Sequence, residues 1–253
     1  MKSLLIDAGN SRLKWGVGSA GEIHRTGHIS QAKIREQGLQ ALTTRLPRHV
    51  ERVMVSNVAG TSFATRLAGV VGAHCGCDVH FARVSKAGFG IRNSYSQPRR
   101  MGVDRWVAMI AAYAEQQSAC LVVDAGTAVT LDAIDANGEH LGGQILPGAR
   151  LMATALSSST SDIPAISKAA KASEEPLAMF GRNTSVAVSE GTLNAVVGAV
   201  ERAFRALQSS AIEADIILTG GDASRILTTL DRPANHRPNL VLQGLLHMLE
   251  SAE

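Results

Sequence analysis

The chain has 253 residues, 45% apolar and 19% charged, with a formal net charge of +3. That balance suits a globular protein with a sizeable core and excludes a disordered chain. The small positive excess is spread evenly, with Arg99-Arg100 the nearest thing to a basic cluster, so no nucleic-acid partner is expected; no apolar run approaches the roughly 18 residues of a bilayer span, so no membrane partner is expected either.

The N-terminal run Met1 to Asp7 has one Lys and a very short apolar run, which is not a signal-peptide pattern, and the expected location is the cytoplasm. Ser3-Leu4-Leu5-Ile6-Asp7 reads as a buried strand that ends in a turn at Ala8-Gly9-Asn10-Ser11 and returns through Leu13 to Val17. Arg52 to Val58 reads as another strand, and Ser62 to Val71 as a helix with Thr61 as its cap. His74-Cys75-Gly76-Cys77-Asp78-Val79-His80 has metal-ligating residue types but no second ligand pair at zinc-like spacing, so a turn with two small side chains is the plainer reading. The three cysteines, an odd number, do not suggest a disulfide framework.

A loop from Lys86 to Met101 leads to a helix over Asp104 to Gln117 with an apolar face. Cys120-Leu121-Val122-Val123-Asp124-Ala125-Gly126-Thr127 followed by Val129 to Ile134 then repeats the opening pattern of strand, Asp, Gly turn and strand. Gly142 to Gly148 reads as a turn-rich strand end, Ala149 to Leu156 as a helix, Ser157 to Glu175 as a polar loop, and Ser189 to Leu207 as a long amphipathic helix. Ala214 to Thr219 reads as a strand ending in Gly220-Gly221-Asp222, and Leu240 to Leu249 as a last helix. The repeat implies two related domains, expected over 1–117 and 118–253.

Phosphate groups need backbone N–H donors at close range, which a glycine turn supplies. Asn10, Ser11 and Lys14 add donors and a charge beside Asp7, whose carboxylate suits Mg2+ directly or through water. Alternatively, Asp7 and Asn10 only satisfy a hairpin turn. Gly220-Gly221 lets a flat ligand lie on the backbone, or simply joins a strand to a helix. Asp104 next to Arg105 at a helix start is either ordinary capping or a proton acceptor beside a carboxylate clamp.

The segment Asp7-Ala8-Gly9-Asn10-Ser11-Arg12-Leu13-Lys14 resembles the phosphate hairpin of the type III pantothenate kinases, normally Asp-x-Gly-Asn-Thr-x-x-Lys. Asn93-Ser94-Tyr95 through Pro98 and Gly102-Val103-Asp104-Arg105 resemble the pantothenate loop of that family. Asp124 to Thr130, Gly142 to Gly148 and Gly181 to Thr184 match it too, so the resemblance covers nearly the whole chain in the family's order. Two positions depart: Ser11 stands for the usual Thr, and Ser94 for the usual Pro before Tyr95.

The resemblance implies an α/β protein of the acetate and sugar kinase, heat-shock ATPase and actin superfamily. Two similar actin-like, ribonuclease-H-like domains, each a mixed sheet with helices, would face each other across a nucleotide cleft. It implies a cytoplasmic homodimer that uses ATP, Mg2+ and a monovalent cation, K+ or NH4+, to phosphorylate pantothenate, the first step toward coenzyme A. ATP phosphates would meet the segment from Asp7 to Lys14, Thr127, Gly220 and Gly221. Mg2+ would sit at Asp7 and the monovalent cation at Asp124. Tyr95, Gly102, Val103 and Arg105 would hold pantothenate with Thr184 of a neighbouring subunit, and Asp104 would be the base. The alternatives are another small-molecule kinase of this superfamily, separable by an acceptor screen, or a non-enzymatic regulatory protein, which would need a basic surface if it bound DNA.

Overall fold

The computed structural model describes residues 1–164 and 179–251. In chain order the first strands are β1 (Ser3–Ala8), β2 (Arg12–Ser19) and β3 (Glu22–Ser30), followed by α1 (Gln31–Gln37), β4 (Arg52–Asn57), α2 (Thr61–Cys75) and β5 (Val79–Phe81). A small hairpin, β6 (Ala87–Gly88) and β7 (Ile91–Arg92), precedes α3 (Val103–Gln116). Next come β8 (Cys120–Ala125), β9 (Ala128–Ile134), β10 (His140–Pro147) and α4 (Ala149–Ser159). The chain continues with α5 (Thr184–Ser209), β11 (Asp215–Thr219), α6 (Ala223–Leu227), β12 (Asn235–His236) and α7 (Leu240–Glu250). Among the described residues no helix is long and apolar enough to cross a membrane.

Two compact units emerge. The first comprises Met1–Gln117, Gly138–His140 and Asn239–Glu253; the second comprises Ser118–Asn137 and Leu141–Pro238. The sequence expectation assigned everything after 117 to the second domain, so the structure differs in giving α7 and Gly138–His140 to the first. Leu242 and Leu246 on α7 supply the reason. They lie where side chains on Gly16 and Gly18 of β2 would otherwise be, so the bare strand admits the helix.

The first unit holds a sheet of order β3-β2-β1-β4-β5, with β1 antiparallel to β2 and parallel to β4. Strand β1 is central and buried on both faces, which is why Leu4-Leu5-Ile6 at its middle is an unbroken apolar run. One face sets Leu4, Ile6, Trp15, Val53 and Val55 against Ile34, Leu42 and the Phe63-Leu67-Val71 stripe of α2. The second unit repeats the plan, with order β10-β9-β8-β11-β12 and the same mix of antiparallel and parallel neighbours. Its core sets Leu121, Val123 and Leu131 against Leu193, Val196 and Val200 of α5.

Element ends differ from the sequence reading where caps decide them. Helix α2 starts at Thr61 itself, with Gly60 as the N-cap, and runs on to Cys75. Helix α5 starts at Thr184 because the Asn183 side chain accepts a hydrogen bond from Val186 N at 3.0 Å. Ser157, Ser158 and Ser159 continue α4 instead of opening a loop; the Ser157 and Ser158 hydroxyls donate back to Thr154 and Ala155 carbonyls. The rest of that expected polar loop, past Pro164, lies outside the described residues. Cys75 ends α2 with its thiol toward the Pro47 carbonyl at 3.6 Å. Burial, helped by Cys77, pushes that thiol up to about 11, and burial, helped by Asp215, pushes Cys120 up to about 12. Both stay protonated at neutral pH, the poor form for a metal ligand.

Candidate functional site

In the first unit, Gly9 N donates to Arg12 O at 3.1 Å and closes the β1–β2 hairpin, leaving Asn10 and Ser11 at its tip. Asn10, Ser11 and Arg12 are exposed. Ala8 and Leu13 are fully buried in the core, so any ligand contact from these two positions runs through the backbone. Helix α1 braces the tip from behind. Gln31 N donates to Ser11 O at 2.9 Å, and Gln31 Nε2 donates to Gly9 O at 2.8 Å.

The sheet register sets Lys14, Asp7 and Ser56 in one row across β2, β1 and β4. Asp7 is half-buried, whereas Ser56 is fully buried with no hydrogen-bond partner for its hydroxyl among the described residues. A carboxylate beside an oxygen donor that still has bonding capacity fits a Mg2+ ion that keeps most of its waters. Among the described residues there is no group of three His, Cys, Asp or Glu side chains able to hold a metal ion, so one carboxylate, water and substrate phosphates would have to suffice.

The residues of the expected pantothenate loop, called the acceptor loop below, also come together in this unit. Buried Asn93 accepts from Tyr95 N at 2.9 Å, and its carbonyl receives Lys86 Nζ at 2.8 Å. The Tyr95 hydroxyl accepts from Arg105 Nη1 at 3.0 Å, and the guanidinium carbon lies 5.7 Å from the Tyr95 ring centre. Arg105 is only 5% exposed, so its position is set by packed protein and not by solvent. Val103 opens α3, and Trp106 N closes the first turn on Gly102 O at 3.2 Å. Asp104 Oδ1 accepts from Arg105 N at 2.8 Å, and a Cβ at Gly102 would come within 2.6 Å of that same oxygen. Glycine at 102 therefore leaves room for the carboxylate at the positive end of the helix. His140 joins the same group: its Nδ1 is 2.9 Å from Ser94 Oγ, and its ring centre is 6.1 Å from that of Tyr95.

In the second unit, Gly126 N donates to Ala128 O at 3.1 Å, which leaves Thr127 alone at the hairpin tip, one residue fewer than in the first hairpin. The register places Asp124 between Thr130 and Thr219, a row of three oxygen-bearing side chains. The Gly220 turn sits directly on this hairpin. Asp222 N donates to Ala125 O at 3.0 Å, and Gly220 has φ +96°, where a Cβ would overlap the Ala125 backbone. Gly148 N donates to Thr127 O at 2.9 Å and starts α4 there. Asp124, Thr127, Gly220 and Gly221 thus share one corner. Thr184 is exposed on the first turn of α5 and belongs to this unit, whereas the acceptor loop belongs to the other.

The family model for type III pantothenate kinases matches residues 3–206. The chain belongs to the type III pantothenate kinase family. A type III pantothenate kinase from Aromatoleum aromaticum is 38% identical over 244 residues, covering 96% of this chain and 95% of that protein. Among solved structures, a Campylobacter jejuni protein assigned to the Baf family of transcriptional activators matches with a TM-score of 0.61 at 20% identity, over 98% of both chains. A Sinorhizobium meliloti protein assigned as a 2-dehydro-3-deoxygalactonokinase matches with a TM-score of 0.62 at 12% identity, over 99% of both. At such identities the likeness is one of fold: two mixed-sheet domains of the actin-like kinase type. Within this type III pantothenate kinase, Gln31, Ser56 and His140 are neighbours of the candidate site that sequence reading missed. Only Gln31 had a local signal, the Ser30-Gln31 helix start, where Ser30 Oγ accepts from Lys33 N at 3.2 Å.

Proposed function

We propose that this kinase transfers the γ-phosphate of ATP to the primary hydroxyl of pantothenate in the cytoplasm, forming 4'-phosphopantothenate and ADP. The observation that carries the reading is Asp104 and Arg105 together at the start of α3, a carboxylate beside a buried guanidinium already held by Tyr95. Arg105 takes the pantothenate carboxylate, because a planar fork suits that group. Asp104 accepts the hydroxyl proton as the new O–P bond forms and the bond to ADP breaks. In the first unit the turn from Asp7 to Lys14 supplies backbone and side-chain donors for phosphate; in the second unit Thr127, Gly220 and Gly221 supply nucleotide-binding groups. Asp7 would hold Mg2+, which would supply positive charge to the phosphates. K+ or NH4+ belongs at Asp124.

The test is a coupled ADP-release assay with purified protein, ATP, Mg2+ and pantothenate, with and without K+. ADP release that requires pantothenate and rises with K+ is expected, and Asp124→Asn should blunt the K+ response. Release driven better by another acceptor would point to a different kinase of the superfamily. An unaltered K+ response in Asp124→Asn would move the cation elsewhere.

The working unit in this reading is a homodimer. Leu141, Ile145, Leu151, Leu156, Met179 and Phe180 of the second unit are exposed, Ile145 at 64% and Phe180 at 67%, and a two-fold interface would bury such side chains. Thr184, four residues past Phe180, then serves the partner's acceptor site. Asp104→Asn and Thr184→Val should each be impaired alone. Refolded together, they should recover roughly a quarter of wild-type activity, because about half the dimers are mixed and each of those has one intact site. No recovery, with mixed dimers verified by mass, would remove Thr184 from a shared site.

A further inference from the structure

Gly138–His140 belongs to the first unit, although the chain on either side belongs to the second. What holds it there is a set of contacts in step with the acceptor loop. Arg92 N donates to Gly138 O at 2.8 Å, Arg92 Nε meets Glu139 Oε1 at 2.7 Å, and Ser94 Oγ lies 2.9 Å from His140 Nδ1. Arg92 and Glu139 form a parallel bridge, so the segment runs beside the loop like a short added strand. The Arg92–Glu139 pair is exposed, 60% and 47%, and contributes little by itself. His140 differs in being 3% exposed.

We propose that His140 is a positioning residue for the acceptor site, holding Ser94 by a hydrogen bond and Tyr95 by its ring, and through Tyr95 the guanidinium of Arg105. The proposal rests on the reading that Tyr95 and Arg105 bind pantothenate. The imidazole is 29° from parallel to the Tyr95 ring at 6.1 Å between centres, while the tyrosine hydroxyl accepts from Arg105 Nη1 at 3.0 Å. His140 therefore grips two successive residues, one of which fixes the clamp. A loop free to swing Tyr95 would let the buried arginine lose its fork geometry, and near-rigid placement is what such a clamp needs. Ser94 is the position where this chain lacks a proline ring, and the hydrogen bond to His140 supplies a restraint there from outside the loop.

The experiment uses Ser94→Ala, His140→Ala and the double variant in the full-length protein. Each single change should raise KM for pantothenate about 3- to 10-fold, the worth of one hydrogen bond. KM for ATP and kcat should stay within about twofold. The double variant should be no worse than His140→Ala, because the hydrogen bond that Ser94→Ala removes is already lost in His140→Ala. KM for ATP or kcat moving in parallel would make the role merely structural and overturn the proposal, as would a double variant equal to the product of the singles. A second readout does not depend on the acceptor: 19F NMR of 3-fluorotyrosine-labelled protein, whose two tyrosine lines are assigned with Tyr113→Phe. The Tyr95 line should shift or broaden in both single variants; an unmoved line overturns the proposal. If wild-type protein ignores pantothenate while the Tyr95 line moves, the functional reading fails and the positioning role stands.

Discussion

Replacing Asp104 by Asn should lower kcat by roughly 10²–10⁴-fold, the usual worth of a positioned general base. The substitution is nearly isosteric, and an amide oxygen can still accept the Arg105 N–H that now reaches Oδ1 at 2.8 Å. The first turn of α3 also closes through the backbone, Trp106 N on Gly102 O, so the helix start should persist. What is lost is the capacity to take a proton, and some favourable interaction with the helix N-terminus, worth about 0.3–1 kcal/mol. Steady-state kinetics and thermal melting decide it together. A large fall in kcat with a melting temperature within a few degrees of wild type is expected. Turnover near the wild-type value would mean that the hydroxyl needs no base or that the base lies elsewhere.

The second large effect should come from Arg105→Lys. A lysine keeps the charge but replaces a planar fork by a point donor on a flexible stem. It would also forfeit the paired contacts to Tyr95, the 3.0 Å hydrogen bond and the guanidinium 5.7 Å from the ring centre. A charged hydrogen bond is worth about 1.5–3 kcal/mol, which corresponds to about a 10- to 150-fold rise in KM for pantothenate. KM for ATP should change by less than about threefold. Equal losses for the two substrates would contradict a clamp dedicated to the acceptor carboxylate. Because Arg105 is buried, the melting temperature should be recorded beside the kinetics, so that a collapsed loop is not mistaken for weak binding.

Much of this architecture was legible in the residues because it rests on local patterns. Leu4 to Ala8 and Leu121 to Ala125 are buried strands with continuous apolar runs, and each ends in Asp-Ala-Gly, so the matching strand orders of the two sheets followed from one repeat. The strands β5, β6, β7 and β12 have two or three residues each, too few to show a period of two, and they were not seen. Helix α7 was recognised, but periodicity shows only that a helix has an apolar face. It does not show which sheet the face will meet, and here the bare Gly16 and Gly18 of β2 decide that. The candidate site divides the same way. Asp7, Asp104 and Asp124 announce themselves at strand or helix ends. Gln31 acts on a turn twenty-two residues earlier, Ser56 owes its place to strand pairing, and His140 reaches Ser94 from forty-six residues away. No spacing rule in the sequence covers such contacts.

The allegiance of α7 also bears on the order of events during synthesis. Strands β1 and β2 leave the ribosome well before α7, and the helix that fills the groove over Gly16 and Gly18 is separated from them by the whole second unit. Arg52 of β4 likewise waits for Leu249, whose carbonyl it meets at 3.1 Å. The second sheet, whose strands and helices run from Ser118 to Pro238, is all available before that closing piece arrives. The half that carries Asp7, Asp104 and Arg105 is thus the last to be sealed, with its loop-closure cost met only after its neighbour can have formed. Until then one face of its sheet exposes Leu5 and Met54 to the chaperones and proteases that meet a nascent chain.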